Sequence, residues 1–163
     1  MRASTVILLI AALALSGCSS DPEKPAPVAE PSPKAPPRTV QIHMVVSDQV
    51  NPDLNGRPSP IVMRIYELKS LGKFVEGDFY KLFENYDSHL GSELIESEEF
   101  HLKPGDVTMI QRTLSDDTRY IAVTAAFRDI NQAIWKDKIQ INDEKITDLL
   151  VFIEKLKISV WKK

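Results

Sequence analysis

From Thr39 onward, apolar and polar residues alternate in short runs separated by turn-forming residues, the period-two signature of half-buried β-strands. Val40, Ile42, Met44 and Val46 stand on one parity, with Gln41 and His43 on the other. Ile61–Lys69, Leu94–Leu102 and Val107–Leu114 read the same way. Lys103-Pro104-Gly105-Asp106 divides the last two as a tight turn, its proline presetting φ and its glycine free to take a positive φ. Arg119–Phe127 is apolar on both parities, which predicts a central strand covered on both faces. Trp135–Ile141, Leu149–Ile153 and Lys157–Trp161 complete eight short strands, whose spacing favours an antiparallel β-sandwich.

One segment departs from this rhythm. Leu71, Val75, Phe79, Leu82, Phe83 and Tyr86 recur at near-helical spacing between the second and third strands. Asp78 is placed to cap a helix beginning at Phe79, and Gly72 and Gly77 interrupt any single continuous helix. A stripe of this kind could lie on a membrane or a partner helix, but packing on its own domain is the simpler expectation.

Composition divides the chain into three parts. Residues 1–17 open with Met1-Arg2 and an unbroken apolar run from Val6 to Leu15, too short to span a bilayer and suited to a secretory signal. Leu15-Ser16-Gly17-Cys18 follows, and this segment resembles a bacterial lipobox. In lipoproteins of that kind the cysteine sulfur receives diacylglycerol, the preceding bond is cut, and the new amine is acylated by a chain such as palmitate. Several acyl chains together hold a protein far more firmly than one. Ser19, standing where inner-membrane-retained enterobacterial lipoproteins typically carry Asp, implies the periplasmic face of the outer membrane. Residues 18–38 form an expected tether, with Pro22, Pro25, Pro27, Pro31, Pro33, Pro36 and Pro37 set among Ala, Glu, Lys and Ser. In an extended polyproline form, at about 3.1 Å per residue, such a tether could reach about 60 Å from the membrane. Residues 39–163 are then a single domain of ordinary size.

Charge and chemistry narrow the function by exclusion. The 163 residues carry 20 Lys and Arg against 23 Asp and Glu, with no basic stripe of the sort that binds nucleic acid. Cys18 is the only cysteine, so no intramolecular disulfide, Cys-based zinc site or cysteine nucleophile is expected. His43, His89 and His101 have no metal-ligand spacing, and Glu96, Glu98 and Glu99 read as the wet face of a strand. Asp116-Asp117 and Asn142-Asp143-Glu144 lack the glycine of a calcium loop, and the six glycines are scattered rather than gathered into a phosphate cradle. No catalytic residue, metal, cofactor or small-molecule substrate is expected.

The remaining unusual feature is the stretch Ser47–Pro60, SDQVNPDLNGRPSP, between two strands that a plain hairpin would join with two to five residues. Its prolines restrict the backbone, which lowers the entropy lost on docking and suits a recognition surface. It could equally cross between sheets with Leu54 tucked into the core. Asn51-Pro52-Asp53, then Gly56-Arg57-Pro58-Ser59-Pro60 running into Val62 and Arg64–Lys69, resembles the TssJ family. Phe74, Asp78-Phe79, Leu82, Leu90, Leu94, Leu102, Pro104-Gly105, Tyr120–Arg128 and Trp135-Lys136 follow in matching order. TssJ proteins are outer-membrane lipoproteins of type VI secretion systems. The resemblance implies a transthyretin-like β-sandwich of two four-stranded sheets with helical additions. It also implies membership of the membrane complex, with the Ser47–Pro60 loop docking the periplasmic domain of the large inner-membrane protein TssM. Val50, Asn51, Pro52, Asp53, Leu54 and Asn55 are the expected contact residues. Val50 and Leu54 would serve as apolar anchors and Asp53 as a charged partner for a basic group, while Arg57 and the prolines after it shape the loop base. Lys136 stands where the family is expected to carry Arg, and Asn142–Thr147 lacks the family's turn residues. A pilot-like outer-membrane assembly lipoprotein and a periplasmic ligand-binding or hydrolytic sandwich with a concave polar pocket remain as alternatives.

Overall fold

A computed structural model describes residues 37–141 and 146–163. The signal-like segment, Cys18, Ser19, the prolines up to Pro36 and residues 142–145 lie outside the described residues. The strands are β1 (Thr39–Val46), β2 (Ile61–Leu68), β3 (Leu94–Leu102), β4 (Val107–Thr113), β5 (Tyr120–Ala125), β6 (Lys136–Gln140), β7 (Ile146–Ile153) and β8 (Ile158–Lys162). They form two four-stranded sheets, ordered β4-β1-β7-β8 and β3-β2-β5-β6. All eight expected strands form, with β7 beginning at Ile146, three residues before the expected Leu149. Pairing is antiparallel except between β1 and β7, which run parallel with Ile42 opposite Leu149. That pairing joins strands about a hundred residues apart in sequence, so no local turn signal announces it.

The two sheets share one core, built from Val40, Ile42 and Met44 of β1, Ile61, Met63 and Ile65 of β2, Ile121 and Val123 of β5, and Leu149 and Val151 of β7. β1 keeps its alternation, buried and half-buried residues taking turns along its length. β2 and β5 do not: Ile65–Leu68 and Ile121–Ala125 are buried without interruption. Each is a central strand of its sheet, and the outer face of that sheet is covered as well.

The cover is the insertion between β2 and β3, which holds three one-turn helices, α1 (Gly72–Glu76), α2 (Phe79–Phe83) and α3 (Tyr86–Leu90), and a 3-10 turn, Gly91–Glu93. Asp78 caps α2 as expected, its carboxylate accepting from the Lys81 N–H at 2.9 Å. Gly77 ends α1, whereas Gly72 is the first residue of that helix and not a break in it. Helices this short are not stable alone, and Phe74, Leu82 and Leu90 hold them down by packing on Tyr66, Leu68 and Ala122. Three polar side chains of the sheet then pin the insertion. Tyr66 donates its buried hydroxyl hydrogen to the Leu82 carbonyl. Arg64 donates to the Phe83 carbonyl and lies over the rings of Phe83 and Tyr86, at 4.9 and 4.2 Å, while pairing with Glu99. Lys136 donates to the carbonyls of Phe74, Val75 and Gly77 at 3.1, 2.9 and 2.8 Å. Removal from water pushes its amine below the ordinary lysine range.

Side-chain bonds close both flanks of the sandwich. On one, Arg112 of β4 pairs with Glu96 and Glu98 of β3 at 3.3 and 2.9 Å. These acids are indeed on an exposed face, but they serve as a clasp between sheets. On the other, the Val160 N–H of β8 donates to the Asp137 carboxylate of β6 at 2.9 Å. The Lys103–Asp106 turn forms as expected, with Gly105 at φ 79 and the Asp106 N–H donating to the Lys103 carbonyl at 3.1 Å.

Candidate functional site

The β1–β2 loop is an ordered body with two distinct parts. Its base is built around Val50 and Asn51, both buried. Val50 belongs to the sandwich core, and its N–H turns back to the Ser47 carbonyl at 3.1 Å. Asn51 adopts φ 49, a left-handed conformation that asparagine tolerates better than most residues. Its N–H donates to the Lys155 carbonyl at 3.0 Å, its Nδ2 donates to the Pro60 carbonyl at 2.8 Å, and its Oδ1 accepts from the Arg128 N–H at 2.8 Å. One residue thus ties together the far end of its own loop and the β5–β6 connection through its side-chain amide, and the β7–β8 turn through its backbone.

The tip is a small closed ring from Asp53 to Arg57. The Asp53 N–H donates to the Arg57 carbonyl at 2.8 Å, and the Gly56 N–H to the Asp53 carbonyl at 2.9 Å. The Asp53 carboxylate accepts from the N–H groups of Asn55 and Arg57 at 2.8 and 2.9 Å, and from the Arg57 guanidinium Nε at 2.8 Å. These bonds, led by the Arg57 side chain, hold the Asp53 carboxyl below the ordinary aspartate range. Gly56 supplies the positive φ, 78, that lets the ring close. Leu54 stands fully exposed at its apex.

This geometry redistributes the expected contact residues. Pro52 is half-buried, and Leu54 and Asn55 are exposed. Val50 and Asn51, expected to meet a partner, are instead interior residues of the loop base, so in this conformation their side chains offer no surface. The alternative in which Leu54 tucks into the core is not what the structure shows: Leu54 is exposed, and Val50 is the loop's buried apolar residue. Asp53 is committed to Arg57 within the loop rather than presented alone. Beside the tip lies a cleft of about 350 Å³ lined by Pro52, Asp53, Leu54, Arg128, Asp129 and Leu156. Arg128, Asp129 and Leu156 escaped the sequence reading, because nothing local indicates that two distant turns meet the first loop. The one available signal was Arg128 among the residues that resemble TssJ.

Elsewhere, His101 is exposed, while His43 and His89 are half-buried. His101 lies beside Glu99 at 3.2 Å, and His89 lies 2.9 Å from the Lys73 carbonyl. Among the described residues no cluster of His, Cys, Asp or Glu could hold a metal ion. Among them, too, no helix is long and apolar enough to cross a membrane.

Fold and loop together define a two-sheet β-sandwich that presents a stiff, internally bonded loop at one end, an architecture suited to binding another protein. The family described as Type VI secretion lipoprotein (VasD, EvfM, TssJ) matches residues 38–161, and the chain belongs to this family. The structure of the T6SS lipoprotein TssJ1 from Pseudomonas aeruginosa is similar, with a TM-score of 0.76 and 32% identity over 78% of this chain and 98% of that one. Serratia marcescens Lip, a membrane-bound component of the type VI secretion system, shares the fold, with a TM-score of 0.72 and 23% identity over 78% of this chain and 98% of that one. So does a chain from a structure of the T6SS protein TssM C-terminal domain from EAEC, with a TM-score of 0.62 and 21% identity over 76% of this chain and 98% of that one. Curated protein sequences include no match to the chain. A type VI secretion lipoprotein is a component of the secretion machinery and not an enzyme.

Proposed function

We propose that this protein anchors the type VI membrane complex to the outer membrane and docks the periplasmic domain of a TssM-type inner-membrane protein through its β1–β2 loop. Residues 1–17 act as the signal, Cys18 carries the acyl chains, residues 18–38 form the tether, and residues 39–163 are the docking domain. The observation that carries the docking role is the division of the loop into a buried base and an exposed tip. A tip locked by its own hydrogen bonds has little conformational entropy left to lose on binding. At that tip Leu54, a large apolar side chain, is fully exposed to water. The occurrence of this fold in a structure of a TssM C-terminal domain supports the choice of partner. Lys136 does not disturb the reading, since it pins the insertion and is not part of the loop.

The test is an exchange of Pro52–Gly56 for glycine and serine, leaving Val50 and Asn51 in place. Affinity for the partner's periplasmic domain is expected to fall at least about tenfold, or about 1.4 kcal/mol. The melting temperature should hardly change, because the base that stitches the loop to the sandwich is retained. Undiminished binding by a folded exchange variant places the docking surface elsewhere. Removing Val50–Asn55 instead would confuse the result, since it strips a core residue and the Asn51 bridge together.

A further inference from the structure

We propose that the cleft beside the loop receives the partner. An apolar partner side chain seats between Leu54 and Leu156, and a carboxylate next to it pairs with Arg128. This rests on the docking role above and adds to it two further turns of the sandwich and the sign of the partner's charge.

The argument starts from which charges are already spent. Asp53 is saturated by Asn55 and Arg57, and Arg57 closes back on it with a second contact at 2.7 Å. Glu154 lies 3.9 Å from Lys157. Arg128 differs. Its backbone N–H is fixed by Asn51, so the residue is held in place. Yet its exposed guanidinium makes no hydrogen bond or ion pair among the described residues. The other charged group in the lining is Asp129, and exposed Lys155 adjoins Leu156. The Arg128 charge acts on Asp53 as a minor, longer-range influence. The charged groups around the cleft without a hydrogen-bonded or ion-paired partner among the described residues are Arg128 and Lys155 against Asp129, a positive balance. A planar guanidinium is well matched to a carboxylate, which it can grip with two parallel bonds. The charged contact runs opposite to the one suggested by Asp53 in the sequence.

The apolar half of the site follows from its walls. Pro52, Leu54 and Leu156 supply the apolar lining of a space of about 350 Å³, at the small end of the range for ligand pockets. Leu156 packs partly on the core, so one wall is backed by the sandwich while Leu54 stands in water. An anchor side chain inserted there would cover Leu54 and dry the Arg128 pair, the arrangement in which interface energy concentrates. The occupant is thus a protein segment with neighbouring apolar and acidic residues.

The experiment measures binding of the full processed chain to the periplasmic domain of its TssM-type partner. Arg128→Glu is expected to weaken binding at least about tenfold with melting unchanged, Arg128→Gln to weaken it less, and Asp129→Asn to leave it equal or tighter. Wild-type affinity should drop as salt rises from about 0.1 M to about 1 M, where the screening length shrinks from about 10 Å to about 3 Å. Arg128→Gln should show a shallower drop. If the Pro52–Gly56 exchange abolishes binding while Arg128→Glu and Arg128→Gln bind like wild type, the cleft inference is wrong and the docking loop stands. If neither the exchange nor the arginine variants change affinity, the docking role itself falls. Tighter binding by Arg128→Glu reverses the inferred charge of the partner.

Discussion

Asn51 shows how much of this site depends on one amide. Its two side-chain bonds, to Pro60 and Arg128, join the far end of the loop and the β5–β6 connection to its base, beside the Ser59 N–H bond to the Val50 carbonyl. Replacing it with alanine leaves a carbonyl and an N–H without partners at a buried position and keeps the unfavourable positive φ. The expected loss is about 2 kcal/mol of unfolding free energy, since an unsatisfied buried group costs about 1–3 kcal/mol. Denaturant titration checks this, and a loss below a few tenths would mean that water replaces the amide. The same residue marks a limit of reading from sequence. Asn51-Pro52-Asp53 was legible as a turn, but nothing local separates a residue that faces a partner from one that faces inward. Val50 and Leu54 are both lone apolar residues in a polar loop. Only the packing of the sandwich under the first of them decides which is core and which is tip.

At the level of elements, alternation located every strand because each strand of a sandwich has a core face and a second face that water or a cover must meet. The doubly apolar Arg119–Phe127 even announced a covered outer face, and α1–α3 supply that cover over β5. Alternation failed where a charged residue on the outer parity is used structurally. Arg64 and Lys136 look like solvated positions, yet both reach up to carbonyls of the insertion. Lys136 matters most for α1, a single turn whose C-terminal carbonyls lack helical partners and find them in one ammonium group. Lys136→Met keeps the length and apolar stem but frees three carbonyls. It is expected to destabilise the protein by about 1–3 kcal/mol, given the strength of charged hydrogen bonds. Hydrogen exchange should accelerate first at the Val75 and Gly77 amides while the centre of β5 stays protected. Uniform acceleration across both regions would show that the insertion and the sheet open as one unit. In that case the lysine would not act locally.

For the whole molecule, the proposed anchor and the proposed docking loop occupy separate parts of the sequence. The stitched loop, the cleft and the core all lie within residues 37–163. The proposed lipid attachment is expected to contribute position and not shape. Tethering raises the local concentration of a binding domain without adding any contact to it, and membrane retention by acyl chains is additive in buried methylenes at about 0.8 kcal/mol each. Cys18→Ser should separate the two functions cleanly. The substituted protein is expected to leave the membrane fraction and fail to support secretion, while its domain melts at the wild-type temperature. In solution it should bind the partner's periplasmic domain with wild-type affinity. Continued fractionation with outer membranes and undiminished secretion would remove the acyl anchor from the account. Weakened binding in solution would mean that the anchored end contributes to recognition, and the division of labour drawn here between tether and loop would fail.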